Sequence, residues 1–363
     1  MLLTIPQKRL ATILTSPNQI SDLQEFPLES LVENGIAAIL ADHIVQPTHT
    51  EASYLLPLRK ALYDFKVIHS LEHKEFKQVF EALKKESIPF VVLKGWALSF
   101  GVYDSEYLRP KTDIDILIRP EDKENVKDII TQLSFFNPRG WEPRAIIDQF
   151  SMRKVLAKGV NADIDIHLKV TNDKKIQQHI TWDLIYPGAE HVEQLGAKIP
   201  NKPCMFLHGA IHLLHHYSIG DMVKLIWLFD LHMLLSKMTQ KEVQFLTHIL
   251  DETGLAHPVK YVLITLNEVF PNEVGLELIQ LLKGSKDSDY NYLVIPPSSL
   301  KNYFRKIKHT PGIQAKILLI LETFLPHKEE IFRKYGYVNQ YALPFYYIRR
   351  IISGVFKVIT TKR

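Results

Sequence analysis

One cysteine, Cys204, is all the thiol this chain has. That excludes an intramolecular disulfide and any cysteine-based zinc cage, and makes a reducing compartment, the cytoplasm, the expected setting. Long apolar runs are missing as well. No segment reaches the roughly 18 uninterrupted apolar residues that a membrane-spanning helix needs, and the best candidate, at the C-terminus, is split by Arg349 and Arg350. No signal peptide is expected, because Pro6, Lys8 and Arg9 interrupt what apolar character the first residues have. Long basic runs are absent too, and a net charge of only +4 makes a weak field for nucleic acid. With 46% hydrophobic and 23% charged residues the chain should fold. Its 363 residues exceed one average domain, so two or three units sharing a continuous interior are expected.

What is present changes character twice. Residues 1–86 form an expected N-terminal helical region: from Tyr54 to Lys85 the apolar positions Leu55, Leu58, Leu62, Phe65, Ile68, Leu71, Phe76, Phe80 and Leu83 recur at three- and four-residue steps. Glu86-Ser87-Ile88-Pro89 breaks that period, and Phe90-Val91-Val92-Leu93 reads as a buried strand. After Lys94-Gly95 come a short helical piece, a turn-rich stretch, and the alternating run DIDILI from about Thr112, a second strand. Pro120-Glu121-Asp122 opens a helix reaching about Leu133. Gln149 to Leu156 and Ala162 to Val170 are two more strands, with a hairpin turn at Lys158-Gly159, so the sheet of residues 87–171 is mixed. Residues 172–363 read as a C-terminal helical region, with helices at 203–216, 222–236, 241–250, 259–269, 273–282 and 313–324 and a loop at 283–300. The class is α+β: a small mixed sheet flanked by helices.

Asp113 and Asp115 stand two apart on a strand, so both carboxylates leave one face, about 6.6 Å apart at ~3.3 Å per residue. Mg²⁺ is usually held by one or two carboxylates plus substrate phosphates, and paired ions can clamp an in-line phosphoryl displacement. A solvated strand face is the plainer explanation of Asp-x-Asp alone, so the surroundings decide. About eighteen residues upstream, Leu93-Lys94-Gly95 runs from a strand into a glycine turn that opens a helix. Backbone N–H groups and the positive helix end can approach a triphosphate there, with Lys94 or Arg109 supplying charge. In ADIDIHL, Asp163, Asp165 and His167 share one strand face and the isoleucines the other, which fits an acidic cleft opposite packed helices.

The run LKGWALSFGVYDSEYLRPKTDIDILIRPED resembles the opening signature of the uncharacterised nucleotidyltransferase family of the polymerase-β-like nucleotidyltransferase superfamily. ADIDIHLKV is similar to that family's Asp-apolar-His strand, and the resemblance extends to PCMFLHGAIHLLHHYSIGDMVKLIWLFDLHMLL and to FLPHKEEIFRKYGY with YYIRR, about residues 60 to 350. It implies a nucleotidyltransferase core with Asp113, Asp115 and Asp165 as catalytic carboxylates and metal ligands, Gly95 at the nucleotide phosphates, and Lys94 and Arg109 assisting. Mg²⁺ or Mn²⁺ is the implied cofactor and an NTP the substrate. An acceptor hydroxyl, of a small molecule, protein or RNA, attacks the α-phosphorus and releases pyrophosphate. One departure is plain: many superfamily members have Gly-Ser or Gly-Gly where this chain has Gly95-Trp96, so a serine hydroxyl on the triphosphate is missing.

Two rivals share parts of the pattern. A glycosyltransferase can grip a metal-bound nucleotide sugar with Asp-x-Asp, but it leaves the strand-Gly-helix and the Asp165 strand unexplained; thermal protection with Mn²⁺ by an NTP or a nucleotide sugar separates the two. A catalytically silent nucleotide-binding protein would not need Asp113, Asp115 and Asp165 all intact. His208 and His212, one helical turn apart, are a minor metal candidate, and with His215, His216 and Asp230 they read better as buried or interface hydrogen-bonding groups. The C-terminal segment LPFYYIRRIISGVFKVITTKR combines an apolar face with Arg349, Arg350 and Lys357. Packing of that face onto the helical body is expected over contact with an anionic membrane.

Overall fold

The computed structural model describes residues 2–15, 22–44, 56–140, 148–285, 289–295, 299–336 and 339–360. Four helices come first: α1 (Ile5–Thr15), α2 (Leu28–Glu33), α3 (Ala37–Ile44) and the long α4 (Leu56–Lys85). The expected helix start at Tyr54 lies outside the described residues. Along α4 the three- and four-residue spacing puts Leu58, Leu62, Phe76, Val79, Phe80 and Leu83 in the interior. His69 and Glu72 are buried with them, although nothing in the periodicity marks polar residues as inward.

The sheet follows. Strand β1 (Phe90–Leu93), with every residue buried, runs straight into α5 (Lys94–Gly101). Then come β2 (Ile114–Ile118), a 3-10 turn at Pro120–Asp122, α6 (Lys123–Gln132), β3 (Gln149–Ala157) and β4 (Val160–His167). Strand order is β1-β2-β4-β3. β1 and β2 are antiparallel, β2 and β4 parallel, and β3 and β4 an antiparallel hairpin closed at Gly159, whose φ of +82° suits a residue without Cβ. Ile114, Ile116, Ile118, Ile164 and Ile166 are fully buried, while the alternate positions place Asp115, Asp163, Asp165 and His167 together on the opposite face.

The helical region contains one thing its periodicity did not announce: a hairpin of β5 (Glu190–Val192) and β6 (Ala197–Ile199), preceded by the short α7 (Trp182–Ile185). Strands of three residues are too short to show alternation. Next come α8 (Lys202–Ile219), α9 (Leu225–Ser236), α10 (Gln240–Thr253), α11 (Ala256–Val269) and α12 (Glu273–Leu281). Their ends obey local chemistry: Asn201 caps α8 by accepting from Cys204 N–H, Thr239 and Glu242 form a capping box on α10, and left-handed Gly220 and Gly254 close α8 and α10. The buried apolar side chains from Leu2 to Leu293 form one cluster. Gln7 joins the N-terminal helices to it, its amide donating to Asn34 Oδ1 at 2.9 Å and to the Val223 carbonyl at 2.6 Å.

Beyond that cluster lie α13 (Ser299–His309), α14 (Ile313–Phe324), α15 (Lys328–Tyr335) and α16 (Leu343–Thr360). The expected loop at 283–300 holds 3-10 turns at Leu282–Gly284 and Asn291–Leu293 and ends in the first residues of α13; residues 286–288 and 296–298 lie outside the described set. The C-terminal apolar face does not pack as expected. Phe345, Ile348 and Ile352 are 62%, 57% and 61% exposed, because α16 lies against α14 and α15, and α14 itself buries no residue. Among the described residues no helix is long and apolar enough to cross a membrane.

Candidate active site

The parallel β2–β4 pairing sets Asp115 opposite Asp165 and Leu117 opposite His167. Ligand atoms of Asp115, Asp165 and His167 come within 4.8 Å of one another. His167 Nε2 is 2.8 Å from Asp115 Oδ1, its Nδ1 is buried without a hydrogen-bond partner among the described residues, and Ser151 donates to Asp165 Oδ1 at 2.5 Å. Lys94 closes the group from β1 and α5: its Nζ donates to Asp115 Oδ1 at 2.6 Å. Burial works against the charge of Asp115, yet Lys94 and His167 outweigh it and hold the carboxyl well below the usual range. The same ion pair raises the Lys94 ammonium against its own burial.

Lys94 takes φ +48°, a left-handed conformation that costs a residue with a Cβ on the order of 1 kcal/mol. Strain at the first residue of α5, one step after an extended Leu93, coincides with a helix N-terminus that has no side-chain cap. Gly95 is glycine for a steric reason: a Cβ there would come within 2.9 Å of Arg109 Nη1 and 3.2 Å of Lys111 Cβ. Trp96, the residue that departs from the superfamily pattern, is fully buried. It stacks on His69 at 4.6 Å and meets Phe76 edge-on at 5.0 Å, so its side chain serves the interior.

Asp113 stands just before β2, half-buried, and accepts from Thr112 Oγ1 at 3.2 Å; it is not among the atoms that gather at Asp115. Burial, then repulsion from Asp115 and Asp165, pushes its carboxyl up to about 6. Asp163 forms a two-point ion pair with Arg153, at 2.6 and 2.8 Å, on the edge of the sheet. Arg109 is buried and reaches another partner. Its Nη2 is 2.9 Å from Asp230 Oδ2, its Nε is 3.3 Å from both carboxylate oxygens, and Nη1 donates to the Pro110 carbonyl. Tyr103 also donates to Asp230, at 2.7 Å. Arg109 thereby ties the loop beside Gly95 to α9. His208, whose ring bonds the Val170 backbone, is pushed down to about 3 by burial, then by Lys94 and His167. His212 packs against His216 and Trp227.

Two residues enter that the pattern of acids did not name as site members. His167 shares strand parity with Asp165 and stands in the Asp-apolar-His pattern of that strand. Glu72 had no such signal: it comes from α4, buried, with its carboxyl pushed up to about 7 by burial and by the charges of Asp163 and Asp113, against the opposing pull of Lys111.

The expected glycine turn is absent, since β1 passes directly into α5 with the left-handed residue at Lys94, but a strand running into a helix N-terminus beside acids paired across a parallel ladder suits an enzyme that handles nucleoside phosphates. The chain belongs to the uncharacterised nucleotidyltransferase family, whose model matches residues 26–271, well over half of the chain, and it is a nucleotidyltransferase. No curated protein matches it.

Proposed function

We propose that the enzyme moves a nucleoside monophosphate from an NTP to an acceptor hydroxyl with release of pyrophosphate, using a divalent cation, Mg²⁺ or Mn²⁺. The single observation that carries this is the in-register placement of Asp115 beside Asp165, with His167 and Lys94 on the same group. The residues fit a cation: two carboxylates and an imidazole converge, and beside them the Asp113 carboxyl is raised by burial first and then by the charges of Asp115 and Asp165, against the pull of Lys94. Asp115 and Asp165 would hold the ion, with Asp113 and His167 beside them, and the ion would supply charge stabilisation to the phosphoryl group.

The chain's own groups do the rest. The uncapped N–H groups of α5 at Gly95 face the triphosphate, and Lys94 adds a positive charge there. Asp165 takes the proton of the acceptor hydroxyl as the new O–P bond forms and the bond to pyrophosphate breaks. Arg109 acts as a positioning residue, holding the 109–111 loop against Gly95 through Asp230. The sheet region 87–171 carries the chemistry, with 1–86 and 172–363 walling it in, and the cytoplasm supplies the NTP. The test is incubation of the protein with each α-labelled NTP, Mg²⁺ or Mn²⁺ and cell extract. Label should pass to an extract component in a metal-dependent way; transfer from a nucleotide sugar and from no NTP would sink the proposal.

A further inference from the structure

A cavity of about 390 Å³ lies between the end of α8, the segment following β4, and α13, and no residue of β1, α5 or β2 lines it. Its volume suits a small organic molecule. Two elements lead from the neighbourhood of the acidic centre to it, α8 and the segment after β4. His208, which feels Lys94 and His167, and His215, on the cavity wall, are seven residues apart on α8, about 10.5 Å at ~1.5 Å per residue. On the other side, Asp173 and Lys174 follow His167 at the end of β4.

The wall is basic. Lys174, Arg305 and Lys306 bring three cations, with His215 and His309 between them. Asp173, the one acid in the wall among the described residues, is already occupied: it accepts from Arg305 Nη1 at 2.9 Å, from the Tyr292 hydroxyl at 3.0 Å and from the Lys175 and Ile176 N–H groups. Lys174 is paired with Asp148. Lys306 has no ion pair among the described residues. Burial lowers both histidines first; His216, then Lys306 and Arg305, lower His215 further, and Lys175, Lys308 and Arg305 lower His309, with Asp173 opposing in each case. With Arg305 paired to Asp173 and Lys174 to Asp148, Lys306 is the wall cation whose charge no ion pair among the described residues offsets.

We propose that this cavity is the acceptor subsite and that the acceptor is a small phosphorylated molecule, its phosphate held by Lys306 and Arg305 and its hydroxyl directed along α8 toward Asp165. This rests on the nucleotidyl-transfer reading and names the class of its acceptor. In-line transfer needs the acceptor on the side of the α-phosphorus away from the leaving pyrophosphate. A cavity that shares no residue with the α5 phosphate cradle leaves that cradle free for the triphosphate.

The test uses the full chain, thermal-shift titration with inorganic phosphate, and a non-hydrolysable α,β-methylene NTP with Mg²⁺. Phosphate should stabilise the protein with and without the nucleotide analogue. Lys306→Glu should weaken phosphate by about tenfold, the size of one charge-assisted contact, and leave the analogue's affinity unchanged. Lys241→Glu, exposed on α10 and absent from the wall, should stay within about twofold, since exposed charges are screened. Phosphate excluded by the analogue would assign the cavity to the nucleotide and overturn the proposal. So would equal losses in the two variants, or no effect of phosphate on the wild-type protein. In the labelled-NTP assay, phosphatase treatment of the extract should abolish the labelled product, and undiminished labelling would overturn the acceptor class. If the analogue itself fails to bind, nucleotidyl transfer fails, while the phosphate series still decides whether the cavity is an anion site.

Discussion

Asp115 and Asp165 face each other across the parallel β2–β4 ladder, whereas Asp163, one alternation earlier on the same face of β4, is bound to Arg153. Two residues move a carboxylate about 6.6 Å along a strand, more than a metal–oxygen bond can absorb. Asp165→Asn should lower transfer by about a thousandfold or more, the loss of several kcal/mol of charge stabilisation, yet leave NTP binding measurable. Asp163→Asn should retain activity within about threefold and lose no more than about 1 kcal/mol of stability, as expected for a partly exposed ion pair. Pyrophosphate release beside circular dichroism checks both. A dead Asp163→Asn with an active Asp165→Asn would reverse the assignment.

Lys94 joins the acid group to the start of α5. Lys94→Ala should weaken metal-dependent NTP binding by about tenfold, since it removes a charge-assisted contact to the phosphates. Titration calorimetry measures this directly, and unchanged affinity in a folded variant removes Lys94 from the nucleotide site.

The buried Arg109–Asp230 pair should behave as a structural unit. Removing either partner leaves a buried charge uncompensated, so Arg109→Met or Asp230→Leu alone should cost about 3–5 kcal/mol, and the double variant much less than the sum. Urea unfolding of the four proteins gives the coupling; simple additivity would show that the pair does not hold the loop to α9.

Glu72 makes stability depend on pH in metal-free protein. Its carboxyl rises from the ordinary 4.5 to about 7 on folding, so between those values the native state binds the extra proton. Stability therefore falls as pH rises from about 4.5 to about 7, and the loss persists above. Glu72→Gln should remove this, gaining on the order of 3 kcal/mol over wild type at pH 8 and little at pH 4.5, since each pKa unit is worth about 1.4 kcal/mol. Parallel denaturation in chelator at the two pH values is the measurement, and an equal difference at both would contradict burial of an ionising Glu72.

The open face of α16 predicts a solubility effect. Ile348→Glu with Ile352→Glu should reduce self-association in sedimentation while shifting Tm by no more than about 1 °C, because neither side chain leaves a packed site. A large fall in Tm would mean that another surface covers this face.

Much of this was legible in local patterns. The periodicity of α4, the hairpin at Gly159 and the alternation in DIDILI each depend on neighbours within a few residues, and each is where the chain pattern puts it. The hairpin β5–β6 and α13 were not legible: three-residue strands show no period, and the prolines before α13 read as loop.

The sequence by itself determined which faces are apolar, where strand passes into helix at Lys94, and that Asp115, Asp165 and His167 alternate outward from their strands, because parity and periodicity are properties of the local backbone. Only the tertiary structure decided that β2 and β4 lie parallel with Asp115 opposite Asp165. It alone turned Arg109 onto Asp230, brought Glu72 from α4 into the field of Asp113 and Asp163, and hollowed the basic cavity between α8 and α13. The register of non-adjacent strands and the partner of a buried charge follow from the packing of the whole interior, which no short stretch of sequence contains.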